Sequence, residues 1–218
     1  MSLEVERWCL PTREFMQSFK RLPGAKDSFI TLSPNSQDEE LRKRNGLYRY
    51  SNEQLERCLA VMDEEGVDCC LCFAVGLPFE NWGHLHALVQ YQKRLRKKFR
   101  RVRFKNCMIE IEPGSPLSMD PGAFGVELHR STFADYYRYH RQPLQNHFQE
   151  LGYDRSEGPD RQKLAAFYCR HFCVRGTLGK ASPVVCGALT SLRKLGAFKL
   201  FDCIASCRPS PQQVKSPC

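Results

Sequence analysis

The sequence predicts an α+β domain, a central antiparallel sheet with helices packed on it, followed by a small Cys-rich, mainly helical C-terminal region. Three observations lead there. Runs of β-branched and aromatic residues alternate with runs of helical spacing in the order strand, helix, strand, strand, strand, helix. The second and third strand-like runs are joined by a short loop bearing Pro78, Asn81 and Gly83, the composition of a hairpin connection. Hydrophobic residues make up 42% and charged residues 26% of the 218 residues, a balance that allows a buried core.

Residues 1–27, broken by Pro11, Pro23 and Gly24, are expected as a lead-in, and residues 28–152 as the main domain. Ser28–Ser33 is short, β-branched and aromatic and ends at Pro34-Asn35, which reads as a strand closed by a turn. A charged connection, Gln37–Asn45, follows. Ser51 stands as an N-cap before Leu55, Cys58, Leu59 and Met62 at helical spacing, and Gly66 stops that helix. Val67–Val75 and His84–Tyr91 read as the two strands of the hairpin, and Cys107–Ile111 as another strand ended by Pro113-Gly114. Ser131 caps a helix over Thr132–Arg141, and further helices are expected at 145–151 and over Arg161–Cys173. Residues 153–205 form the helical Cys-rich extension, and residues 206–218 read as a disordered tail. No apolar run has the length of a membrane span, and Glu4, Glu6 and Arg7 stand where a secretory signal would be apolar, so a soluble protein with no membrane partner is expected.

Thirty-three Lys and Arg against 24 Asp and Glu give a net charge of +9, and one segment accounts for the excess. Lys93–Lys105 carries nine cations, Lys93, Arg94, Arg96, Lys97, Lys98, Arg100, Arg101, Arg103 and Lys105, and no acid. A polyanion such as nucleic acid is the natural partner, because each neutralised phosphate releases counterions; a solvated helix face or a nuclear localisation signal reads from the same residues. The 12 cysteines are irregularly spaced and read as mostly reduced, with Cys69, Cys70 and Cys72 packing as small hydrophobes inside a strand.

His84 and His86 are the sharpest local feature. In a strand, alternate side chains share a face, so two imidazoles roughly 7 Å apart could chelate one divalent ion; the alternative is a pair of histidines on a solvated sheet face. A second constellation, Cys169, His171, Cys173, Cys186, Cys203 and Cys207, could hold Zn²⁺ but lacks the tight spacing of common zinc modules.

Three pieces in order, Phe29–Ser36 (FITLSPNS), Trp82–Tyr91 (WGHLHALVQY) and Ala134–Arg141 (ADYYRYHR), resemble the motifs of the HUH superfamily of replication-initiator (Rep) endonucleases from small DNA viruses, across about residues 28–145. The resemblance implies a single-stranded DNA nicking and joining enzyme for rolling-circle or rolling-hairpin replication. His84 and His86 would hold Mg²⁺ or Mn²⁺, and a tyrosine would attack the scissile phosphate to leave a covalent protein–DNA link. Tyr137, with His140 and Arg141 one turn on, is the expected nucleophile and Tyr136 the second choice. The acidic ligand usual before the first His is missing; Glu80 is the nearest acid, with Glu110 and Glu112 as substitutes. The lysine usual on the tyrosine helix is also absent. No phosphate-binding loop is found, so the expected activity comes without a helicase or ATPase. Expected partners are single-stranded or origin DNA, with self-association compatible, in the nucleus of an infected cell or alternatively a cytoplasm. Two rivals stand beside this reading: a catalytically silent Rep-like DNA-binding regulator, and a basic accessory protein whose Cys-rich region binds zinc or a protein.

Overall fold

The computed structural model describes residues 2–47, 50–141 and 152–172; the expected helix at 145–151, most of the Cys-rich extension and the tail lie outside them. The chain is a mixed α and β fold. Strands β1 (Glu4–Arg7), β2 (Phe29–Asn35), β3 (Asp68–Val75) and β4 (Val102–Met108) form one sheet in that order. All three pairings are parallel, which corrects the expected antiparallel sheet. Parallel neighbours cannot be joined by a hairpin and need a crossover. The crossovers are helices α1 (Arg13–Lys20), α2 and α3 (Glu39–Arg44 and Asn52–Glu65), and α4 (Trp82–Lys98).

Three elements arise as their residues predict. Strand β2 falls on the β-branched run, and β3 matches Val67–Val75 within one residue. Helix α3 has the anticipated Ser51 cap, a full capping box with Gln54, and Gly66 at a left-handed φ of 71° as its stop. The lead-in is not a lead-in: β1 is an edge strand of the sheet, and α1, capped by Thr12, buries Met16 and Phe19.

The largest correction is the second hairpin strand. His84–Tyr91 lies inside α4, because Asn81 caps that helix and Leu85, Leu88, Tyr91 and Leu95 recur at helical spacing on its buried side. The alternation of His84, Leu85, His86 and Ala87 is also compatible with a helix, and the basic residues from Lys93 to Lys98 continue it. Strand β4 accordingly begins earlier than Cys107–Ile111. Val102, Phe104, Asn106 and Met108 alternate with exposed Arg103, Lys105 and Cys107, the pattern of a half-covered edge strand.

Helices α1, α3 and α4 lie side by side on one face. Arg13 bonds Glu64 and Glu65 at 2.6 and 2.5 Å to tie α1 to α3, and Arg94 and Lys98 each reach Glu56 at 2.7 Å to tie α4 to α3. Under them Ile30, Leu32, Cys69, Leu71 and Phe73 form one core with Leu55, Leu59, Met62, Leu85, Leu88 and Leu95. Each fully buried side chain of this kind contributes about 1.5–3 kcal/mol.

After β4 the chain forms α5 (Pro116–Met119), β5 (Val126–Leu128), α6 (Phe133–His140), β6 (Tyr153–Arg155) and α7 (Arg161–His171). Strands β5 and β6 pair antiparallel. Thr132, not Ser131, caps α6, and its side chain and that of Asp135 satisfy each other's backbone amides. Helix α7 packs beside α4, with Phe167 against Trp82 and His86 at ring separations of 5.8 and 5.5 Å. No helix among the described residues is long and apolar enough to cross a membrane.

Candidate functional site

In an open parallel sheet, ligands are received at the carboxyl ends of the strands, where the loops toward the following helices gather. Here two such loops are built with care. The one after β2 leaves the strand at its last residue, Asn35, and runs Ser36-Gln37-Asp38, and the one after β3 runs Gly76-Leu77-Pro78-Phe79-Glu80-Asn81. Each holds a non-glycine residue in the left-handed region, Asn35 at φ 61° and Phe79 at φ 64°. Such residues persist only where surrounding contacts over-determine them.

Those contacts are present. Glu80 is 2% exposed, and its carboxylate accepts the Gly76 amide at 2.6 Å. Burial pushes its pKa up to about 7 against the smaller pull of the Gly76 amide and Arg155. Tyr153, itself buried, donates its hydroxyl to the Gly76 carbonyl, and Arg155 donates to the carbonyls of Leu77 (3.2 Å), Glu80 (3.3 Å) and Pro159. Gly158, at φ 99°, passes so close that a Cβ there would lie 2.5 Å from the Glu80 carbonyl oxygen. The β5–β6 pair thus clamps the β3 loop. From the other side, Asn45 donates to the Pro78 carbonyl at 3.1 Å, and Arg44 lies 3.7 Å over the Phe79 ring.

Between the two loops stand Asp38 and His84. The Asp38 carboxylate caps α2 through one oxygen, and its other oxygen lies 3.8 Å from His84 Nε2. The Asn81 amide donates to His84 Nδ1 at 3.1 Å, so a neutral His84 carries its proton on Nε2, facing Asp38. Gln37 donates to the His84 carbonyl at 2.8 Å and holds the two loops in register. A donor and an acceptor therefore face each other, half-buried, at a spacing wider than a direct hydrogen bond.

The other sequence-predicted site residues are dispersed. His86 is two residues from His84 on α4, roughly 200° around the helix, and packs against Trp82 and Phe167. His84 and His86 therefore do not converge, and Glu80 is turned inward to Gly76. Among the described residues no three His, Cys, Asp or Glu side chains form a group that could hold a metal ion. Tyr137 is 53% exposed on α6; its ring stacks on Phe133, and Arg141 donates to its hydroxyl at 3.3 Å. Tyr136 is buried, which raises its pKa. Neither Tyr136 nor Tyr137 makes a hydrogen bond to His84, His86 or Glu80 among the described residues. Glu112 is exposed, and Glu110 faces His140 at 3.8 Å. Of the zinc constellation, Cys169 and His171 fall on α7, while Cys173, Cys186, Cys203 and Cys207 lie outside the described residues.

The nine cations are split among three places. Arg94 and Lys98 sit on α4 against Glu56, and Arg101 and Arg103 bond Asp68 at 2.9 and 3.2 Å. Arg96 covers Phe104. Lys93, Lys97, Arg100 and Lys105 form no ion pair with the described residues. Compared with known protein families and with characterised proteins, the chain matches none.

The rim residues Asp38 and Gln37 escape a sequence reading because they look like an undifferentiated charged connection. Their signal is the pair of helix-capping patterns, Asp38 before Glu39-Glu40-Leu41 and Asn81 before His84, each directly after a strand.

Proposed function

We propose that the chain is a βα-repeat module that binds a small polar organic ligand, one bearing hydroxyl groups, at the carboxyl rim of its parallel sheet. The observation that carries this is the Asp38–His84 pair, 3.8 Å apart between two loops that are each clamped in a strained conformation. Carboxylate acceptor and imidazole donor at that spacing suit a ligand group that gives one hydrogen bond and takes another. Nicking and joining of single-stranded DNA, implied by the motif resemblance, draws no support from this geometry, since its two histidines occupy different sides of α4. A second reading, binding of a polyanion along Lys93–Lys105, is favoured by nine cations facing only Glu56 and Asp68 as ion-pair partners among the described residues.

Amide chemical shifts recorded against pooled sugars, nucleosides, nucleotides and amino acids test the proposal. The expected result is perturbation confined to residues 35–38 and 79–84 by one pool, abolished in Asp38→Asn, which keeps the helix cap. Silence at those residues with every pool, while an oligonucleotide perturbs residues 93–105, overturns it in favour of the second reading.

A further inference from the structure

The face of the sheet away from the helices is polar and charged in an ordered way. Glu4 and Glu6 project from β1, Thr31 and Ser33 from β2, Cys70 and Cys72 from β3, and Arg103 and Lys105 from β4. The register fixes one complete row, Glu6, Thr31, Cys70, Arg103. Thr31 and Ser33 each donate to a β1 carboxylate at 2.8 Å. The face is therefore acidic along β1 and basic along β4, where Asp68 of β3 pairs with Arg103 at 3.2 Å and Lys105 forms no ion pair with the described residues. Leu41, Ala74 and Leu77 close it near the carboxyl end; toward the other end its edge side chains are exposed. All-parallel sheets occur almost only with both faces covered.

Among the described residues, neither edge of the sheet pairs with a further strand. The Phe29 amide donates to the Leu3 carbonyl, so the backbone groups of Glu4 and Glu6 point outward from β1. Cys69 donates to the Arg101 carbonyl and Ile109 to the Val75 carbonyl, so the backbone groups of Val102, Phe104, Asn106 and Met108 point outward from β4. One of these, the Asn106 carbonyl, accepts the Tyr168 hydroxyl at 2.7 Å and retains a second lone pair.

We infer that two copies of this chain associate about a twofold axis running along the strands, β1 of each pairing in parallel with β4 of the other, so that the two polar faces close on one another. A rotation about that axis carries the acidic edge of one copy onto the basic edge of its partner while all strands keep one direction. Parallel pairing also matches a residue whose backbone faces the seam with one whose backbone faces away. Glu4 and Glu6 belong to the first kind and Arg103 and Lys105 to the second, so their side chains meet on the same, enclosed face. Four strands in sequential order with helices on one side, doubled in this way, give eight parallel strands ringed by helices, an arrangement known to close. This assembly does not depend on what binds at the rim.

The test is mass measurement by light scattering and native mass spectrometry over a concentration series, under reducing conditions. The expected result is a dimer. The double variants Glu4→Lys/Glu6→Lys and Arg103→Glu/Lys105→Glu each weaken it at least about tenfold by placing like charges at both seams. Mixing the two variants restores a 1:1 heterodimer, because each seam again pairs opposite charges; that rescue also shows both variants to be folded. A wild-type chain that stays monomeric at every concentration, a dimer indifferent to both reversals, or two folded variants that fail to rescue one another overturns the inference.

Discussion

Glu80 stores the clearest pH dependence in the molecule. Its carboxyl is buried and its folded pKa is pushed up to about 7 from an ordinary 4.5. Between those values the folded state keeps a proton that the unfolded chain releases. The associated stability is fully present below the unfolded value and is lost as pH rises through the folded one. Chemical denaturation from pH 4 to 8 is expected to show stability falling by up to about 3 kcal/mol over that window, and Glu80→Gln, neutral throughout and able to accept the Gly76 amide, is expected to flatten the fall. Equal slopes for the two proteins would refute the assignment. At this scale the sequence is only partly legible. Glu80 stands out as an acid near the histidines, but nothing in its neighbours reveals that it turns inward to Gly76, because Tyr153, Arg155 and Gly158, which bury that loop, follow it by more than 70 residues. Cys70 and Cys72, which read as core, are half-buried on the open face, where a hydrogen bond between the thiols lowers the pKa of Cys70 and raises that of Cys72. Cys69, one residue away, is in the core with its pKa raised by burial. Alternation along β3 separates them, and the strand itself lies where its residues predict.

Among the elements, those with a local signature are legible and those that depend on a partner are not. Helix α3 carries its cap, its stop and its apolar stripe within 16 residues, Ser51 to Gly66, and both ends can be read from the sequence. Helix α4 carries an Asn81–His84 capping box of equal quality, but His84 and His86 draw the reading toward period two. Loss of the Asn81 cap is expected to cost about 1 kcal/mol, a melting shift of about 2–4 °C for a chain of this size, if Asn81→Ala is followed by circular dichroism. Asn81→Ala keeps the backbone amide that donates to Nδ1 of His84 and removes only the side-chain cap, so Asn81→Asp, which still caps, should retain stability. An unchanged melting temperature in Asn81→Ala would mean that packing of Leu85, Leu88 and Leu95 alone holds the helix end. Strand β4 is misplaced by a sequence reading because its cations count as a charge run and not as the outward half of an alternating strand.

Across the whole molecule, the choice between antiparallel and parallel sheet is decided by the single element α4. A helix between β3 and β4 makes a crossover, and the order β1, β2, β3, β4 then follows from repeated strand–helix units. The charge excess is legible at once, but its division is not: residues adjacent in Lys93–Lys105 end on different surfaces once α4 stops at Lys98 and β4 starts at Val102. That division predicts two separable effects. Burial opposes the charge of Glu56, yet hydrogen bonds from Lys98 and Arg94 hold its carboxyl below the usual range. Neutralising those two cations strands a half-covered carboxylate and should lower stability. Lys93, Lys97 and Arg100 form no ion pair with the described residues, so replacing all three by Gln should leave the melting temperature nearly unchanged. If the segment takes up single-stranded nucleic acid, the triple variant should bind it more weakly, with the slope of log K against log salt reduced by about 0.7 for each phosphate that is no longer neutralised. Fluorescence anisotropy with a labelled oligonucleotide over a salt series measures that slope. An identical slope in the wild type and the triple variant would leave the paired cations as structural and show that the unpaired ones touch no polyanion.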